Sequence, residues 1–134
     1  MSTRCEIHIY GKTGEPFIRL YHHFGGYPAG VGCFLIEEVY PKLMSSNSDT
    51  AEDIAQFLVD HKADNEFEYT DGIHSDIEFL YEINVPVKII KCFKGRYKVW
   101  NKRGHRLKNP YFMKHTECNL KDMFLPLNRK VKYK

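Results

Sequence analysis

Residues 17–40 read Phe17-Ile18-Arg19-Leu20-Tyr21-His22-His23-Phe24, then Gly25-Gly26-Tyr27-Pro28-Ala29-Gly30, then Val31-Gly32-Cys33-Phe34-Leu35-Ile36-Glu37-Glu38-Val39-Tyr40. The first eight alternate like a strand, and the last ten place Leu35, Ile36, Val39 and Tyr40 at helical spacing. Between them lie glycines and a proline, the residues that let a backbone turn sharply or admit a close neighbour. A strand that runs through a glycine loop into a helix argues for a mixed α and β architecture. Pro41 marks a bend or end of that helix.

Upstream, residues 5–10 alternate again, and Gly11-Lys12-Thr13-Gly14-Glu15-Pro16 supplies turn residues, so 5–10 and 17–24 read as a hairpin. Downstream, Ser45-Ser46-Asn47-Ser48 is a polar link. Thr50 with Asp53 three residues on has the form of a helix cap, and Ile54, Phe57, Leu58 and His61 share one face of the helix that follows. Residues 66–70 and 77–83 alternate as strands, with Asp71-Gly72 as the turn signal between them. Residues 87–93 and 96–100 flank Lys94-Gly95, which reads as a tight hairpin turn, with Pro86 at a strand start. Asn119, followed by Asp122, caps one last short helix. The expected fold is α+β, an antiparallel sheet of about five to six strands with two main helices packed on one face. Residues 1–127 form one domain and 128–134 a basic C-terminal tail.

With 134 residues and 43% hydrophobic content, the chain can bury a sizeable core and does not read as disordered. No basic, apolar leader opens it, and its apolar runs are far too short to cross a bilayer, so a soluble cytoplasmic protein without a membrane partner is expected. Cys5, Cys33, Cys92 and Cys118 form no CxxC pair and read as reduced thiols. Neither a cofactor fingerprint nor a metal-ligand spacing occurs among the histidines, so no cofactor and no metal are expected. The formal net charge of +3 hides a segregation. Residues 1–85 carry 5 Lys+Arg against 15 Asp+Glu, and residues 86–134 carry 15 against 2. Two readings follow. Acidic strands bearing Glu66, Glu68, Glu78 and Glu82 pair with lysine-rich ones, or the second half meets phosphate backbones. Opposite charges also permit self-association into a homo-oligomer.

Three functions are compatible with these residues. The leading one is a small binding protein that holds an anionic, phosphate-bearing ligand such as a nucleotide at the 22–32 loop. Its site residues are Arg19, His23, Gly25, Gly26, Tyr27, Gly30, Val31 and Gly32. N–H groups of Gly30 to Gly32 take the phosphate at a helix start, His23 and Arg19 add charge, and Tyr27 packs on the organic part. The second is a nucleic-acid- or protein-binding module on the basic, aromatic 88–111 region, where Arg96, Lys98 and Trp100 share a strand face and Arg103 follows. The third is a small hydrolase using His22 or His23. Cys33, just inside the helix start, would favour thiolate there, but Phe34 and Leu35 follow at once and a buried core cysteine is the commoner outcome. No catalytic residue is assigned, and more weight falls on binding than on catalysis.

The matching positions Tyr21, His23, Phe24, Gly26, Tyr27 and Pro28 form a Tyr-x-His-aromatic-x-Gly-Tyr-Pro pattern. It resembles a loop of short proteins of bacteria and their phages for which no activity is established. The resemblance covers roughly a tenth of the chain. It implies that the loop is a functional element of a small cytoplasmic protein, and it carries no catalytic role.

Overall fold

The computed structural model describes residues 3–12, 17–23, 25–45, 50–61, 67–72 and 74–122. Strands β1 (Cys5–Tyr10) and β2 (Ile18–His22) lead into a helical segment α1 (28–45). Then come α2 (Ala51–Asp60), a two-residue strand β3 (Glu68–Tyr69), and β4 (Phe79–Asn84), β5 (Ile89–Trp100) and β6 (Arg106–Asn119). The six strands form one sheet in the order β3-β2-β1-β4-β5-β6. The fold is therefore α+β, as expected, but the sheet is mixed: β1 and β4 run parallel at its centre, and every other pair is antiparallel. A parallel pair needs a long crossover, which α1 and α2 provide. The expected Asp71-Gly72 turn does not join neighbours, because β3 pairs with β2 and β4 pairs with β1.

Strand parity sorts the side chains. Cys5, Ile7 and Ile9 of β1 pack in one buried cluster with Leu20, Tyr81, Ile83, Ile90 and Cys92 from neighbouring strands. Val31, Leu35, Val39 and Leu43 of α1 and Ile54, Ala55 and Leu58 of α2 complete it. Glu6 and His8 alternate with these apolar residues along β1, and a strand sends alternate side chains to opposite faces. On α2, Ile54 and Leu58 are fully buried, while Phe57 packs at the margin. Thr50 caps this helix: its hydroxyl accepts from the Asp53 N–H at 3.2 Å, and its own N–H donates to Asp53 Oδ2 at 3.2 Å. α1 does not stop at Pro41. Its turns at Leu35–Val39 are the wide π type, with the Tyr40 N–H donating to the Leu35 carbonyl. The proline, which can neither donate nor tolerate the usual carbonyl four residues back, is carried within Tyr40–Ser45. Among the described residues no helix is long and apolar enough to cross a membrane. All four cysteines are free thiols. The tail 128–134 and the turn residues 13–16 lie outside the described residues.

The largest departure from the sequence reading is at Lys94-Gly95. Rather than turning, the chain continues as one strand, with a register shift opposite β6 between Lys94 and Gly95. The turn comes later, at Asn101, whose Oδ1 accepts from the N–H groups of Arg103 and His105 at 2.9 Å each. Likewise Pro86 sits in the turn between β4 and β5 rather than in a strand. A Cβ on residue 95 would collide with the Met113 carbonyl, so glycine is there to let two backbones approach. The bulge bends the hairpin, and the second half of β5 crosses the Glu6 face of the sheet. Tyr97 and Val99 bury there against Tyr21 and Ile77.

Gly95→Ala is expected to cost about 1–3 kcal/mol through overpacking, seen as a lowered urea midpoint. Thr50→Ala should cost about 1 kcal/mol through loss of the cap.

Candidate functional site

The glycine loop is built from its own backbone. The Gly25 carbonyl accepts from the Val31 N–H at 2.8 Å, and the Tyr27 carbonyl accepts from the Gly30 N–H at 2.9 Å. Gly26 donates to the Thr3 carbonyl at 2.9 Å, and its own carbonyl accepts the buried Tyr81 hydroxyl at 2.7 Å. A Cβ on residue 30 would strike the Gly25 carbonyl, so the closeness of the turn itself explains that glycine. Val31 and Gly32 are buried beneath the loop. Donors expected to face a phosphate are thus engaged at Gly30 and Val31. Tyr27 stays exposed, and His23 Nε2 lies 3.5 Å from Glu68 Oε1. His22 and His23 separate as strand parity requires, the first buried and the second half-exposed. Cys33 is no thiolate: its Sγ donates to Glu37 Oε1 at 3.2 Å, and that bond, with some burial, pushes the thiol up.

Arg19, expected beside His23, instead joins a cluster that the sequence reading passed over. Its centre is Glu6, whose side chain is 0% exposed. His8 Nε2 lies 2.8 Å from Glu6 Oε1, and the Tyr97 hydroxyl donates to the same oxygen at 2.9 Å. The other oxygen accepts the His74 N–H at 2.9 Å and faces His74 Nδ1 at 3.2 Å. Arg19 Nε is 3.4 Å from Oε1 and 3.2 Å from His8 Nε2. A nitrogen lone pair so close to a carboxylate would repel it, so His8 Nε2 carries its proton and the Arg19 N–H serves Glu6. The guanidinium also donates to the Asp71 and Gly72 carbonyls at 3.5 and 3.3 Å, which anchors residues 70–72 on β2. That is where the Asp71-Gly72 signal is used.

Burial alone would raise the Glu6 carboxyl. Hydrogen bonds from His8, the His74 N–H and Tyr97 outweigh it and hold the group below the ordinary carboxylate range. Tyr97 moves the other way, pushed up by burial and by the Glu6 charge. Beside the cluster, Tyr21 donates to both Asp76 carboxylate oxygens at 3.2 and 3.1 Å, and burial with that carboxylate pushes its phenol up to about 12. The His74 ring stacks on Tyr21 with centroids 3.7 Å apart. In the sequence, the trace of all this was Glu6 and His8 alternating with Cys5, Ile7 and Ile9.

The expected face on β5 is present. Arg96, Lys98 and Trp100 alternate with the buried Tyr97 and Val99. Arg96 pairs with Met113 and Lys98 with Tyr111, so the two β6 side chains join the same outward face. Trp100 and Tyr111 are 52% and 55% exposed, well above the usual state of large aromatics. Arg106 stands over the Trp100 ring at 5.9 Å, and Arg103 is exposed in the turn. A depression of about 360 Å³, lined by Ser75, Arg96, Tyr97, Lys98, Trp100 and Met113, runs alongside. The cross-strand pairing of acidic and basic strands is limited here. Glu82 stands opposite Lys91, whereas Glu68 lies on β3, at the far edge from β5 and β6. A second hollow, about 300 Å³, is lined by Tyr10, Glu82, Asn84, Val87, Ile89 and Lys91. Compared with protein-family models, curated proteins and solved structures, the chain finds no match in any of the three.

A carboxyl held low in the folded state contributes stability above its ordinary value, and that contribution is lost as pH falls through the folded value. Glu6→Gln is therefore expected to lower the urea midpoint at neutral pH, by about 1–3 kcal/mol in stability. It should also flatten the loss of stability expected of the native chain below about pH 4.5.

Proposed function

We propose that this protein is a binding module for single-stranded nucleic acid that uses the outward face of the β5–β6 arm. The observation that carries this reading is the placing of Trp100 and Tyr111 on one exposed strand face with Arg96 and Lys98. Bases need flat apolar surfaces and phosphates need cations, and single strands offer both at once. Trp100 lies two residues beyond Lys98, the partner of Tyr111, so the two positions are about 7 Å apart along the strand, with a second register shift opposite β6 between Lys98 and Trp100. Lys102, Arg103, Arg106 and Lys108 around the hairpin end extend the positive field. In this reading the helical layer closes one face of the sheet, and the bent arm projects past it.

The test is anisotropy of a labelled single-stranded dodecamer titrated with the full chain at several salt concentrations. Affinity is expected to fall with salt, with a logarithmic slope of about −0.7 for each phosphate contacted. Trp100→Ala and Tyr111→Ala should each weaken binding by about 1–3 kcal/mol, and Arg96→Ala should reduce the slope. If the Trp100→Ala/Tyr111→Ala double variant binds like the native chain, the arm is not the site. The exposed Tyr27 and half-exposed His23 favour a second reading, a small phosphate-bearing ligand at the 22–32 loop. Stabilisation by mononucleotides that Tyr27→Ala removes would select it.

A further inference from the structure

Strand parity puts the glycine loop and the outward face of the arm on one side of the sheet. Along β5, Ile90 and Cys92 point into the core beneath the helices, and Lys94, Arg96, Lys98 and Trp100 continue the same parity. The row at Lys94 runs across the sheet: Lys94 pairs with Phe79 of β4, and Phe79 pairs with Cys5 of β1. Cys5 belongs to the core beneath the helices, and Gly26 sits so close above it that an added Cβ would come within 2.9 Å of the Cys5 Cβ. From the same side the Gly26 carbonyl accepts the buried Tyr81 hydroxyl. At this row the loop and the arm are therefore two strand spacings apart, about 10 Å.

What fills that interval suits the same ligand as the arm. Phe79 is half-buried at the margin of the core, and the Lys94 ammonium stands 5.9 Å from its ring centroid, so a ring and a cation are presented together. The facing pairs from Lys94 and Thr116 to Trp100 and Arg106 include Arg96 and Lys98 and hold no carboxylate. At the loop end the Tyr27 ring is 47% exposed, although the backbone around it is held by the Tyr81 hydroxyl and by the Gly30 N–H. An exposed ring on a fixed backbone loses little freedom when something stacks on it. We propose that Tyr27, Phe79 and Lys94 extend the arm into a single track, along which one strand of nucleic acid runs from Trp100 down β5 and ends on the Tyr27 ring. This inference rests on the nucleic-acid reading above. Trp100 to Lys94 covers about 20 Å and the step across to the loop about 10 Å more. Bases stack on Trp100, Tyr111 and Tyr27, and the cations of β5 take the phosphates between them. Since the Gly30 and Val31 donors are engaged within the loop, its contribution is a ring and not an anion pocket.

The experiment measures stoichiometry and affinity for a labelled single-stranded dodecamer, about 40 Å long when stacked and so able to span the track. It uses the native chain, Tyr27→Ala, Lys94→Ala and the Trp100→Ala/Tyr111→Ala double variant. One dodecamer should bind per chain. Tyr27→Ala should weaken it about fivefold or more, and Lys94→Ala should weaken it and lower the salt slope by about 0.7. Both side chains are exposed, so these two variants should melt at the native temperature. Native affinity in Tyr27→Ala or in Lys94→Ala, or two dodecamers bound per chain, overturns the track and leaves the arm reading standing. Weakening by Tyr27→Ala with native affinity in the double variant, or no binding by the native chain, overturns both.

Discussion

Four separate stretches of chain converge on one carboxylate. Glu6 belongs to β1, and its donors come from β1 itself, from β2 through Arg19, from the stretch before β4 through His74, and from β5 through Tyr97. Buried charge is tolerated only where enough donors meet it, and removal of any one leaves the others uncompensated. The cluster therefore acts as a set of constraints. It ties His74 and the arm to β1, on the side of that strand that carries Glu6 and His8.

The arm depends on the same constraint from the other direction. β5 and β6 are the longest strands, and a flat hairpin of that length would leave Tyr97 and Val99 in water. Close approach at Gly95 and the register shift there bend it, so one face is buried on Tyr21 and Ile77 while the other turns outward. Strand parity then does the sorting: burial of Tyr97 and Val99 forces Arg96, Lys98 and Trp100 into solvent together. The exposed aromatic face is the other side of that burial, and the Tyr97 hydroxyl on Glu6 joins the arm to the centre of the sheet.

The glycine loop shows how the same residue type serves a different end. Its glycines read as an invitation to an anion, and a helix start does offer such groups. In the folded chain the loop closes on itself, and the Gly30 and Val31 donors meet carbonyls only a few residues away. Sequence reports that the backbone must come close to something. It does not report whether that something is a ligand or the chain itself.

Local patterns determined what local physics controls. The hairpin of β1 and β2, the strand-to-helix passage, the Thr50 cap, the faces of α2 and the co-facial Arg96, Lys98 and Trp100 all follow from periodicity and capping chemistry over a few residues. Tertiary structure decided the rest. Lys94-Gly95 resembles a turn locally, but the bulge exists only opposite Met113. β4 pairs with β1 because two helices carry the chain across, which no turn signal encodes. Arg19 and His23 share a strand parity, yet one is drawn to Glu6 and the other to Glu68. The Glu6 site joins residues at positions 6, 8, 19, 74 and 97. Each was an ordinary polar residue in its own segment, and only the sheet order, with its parallel centre and bent arm, brings them to a single carboxylate.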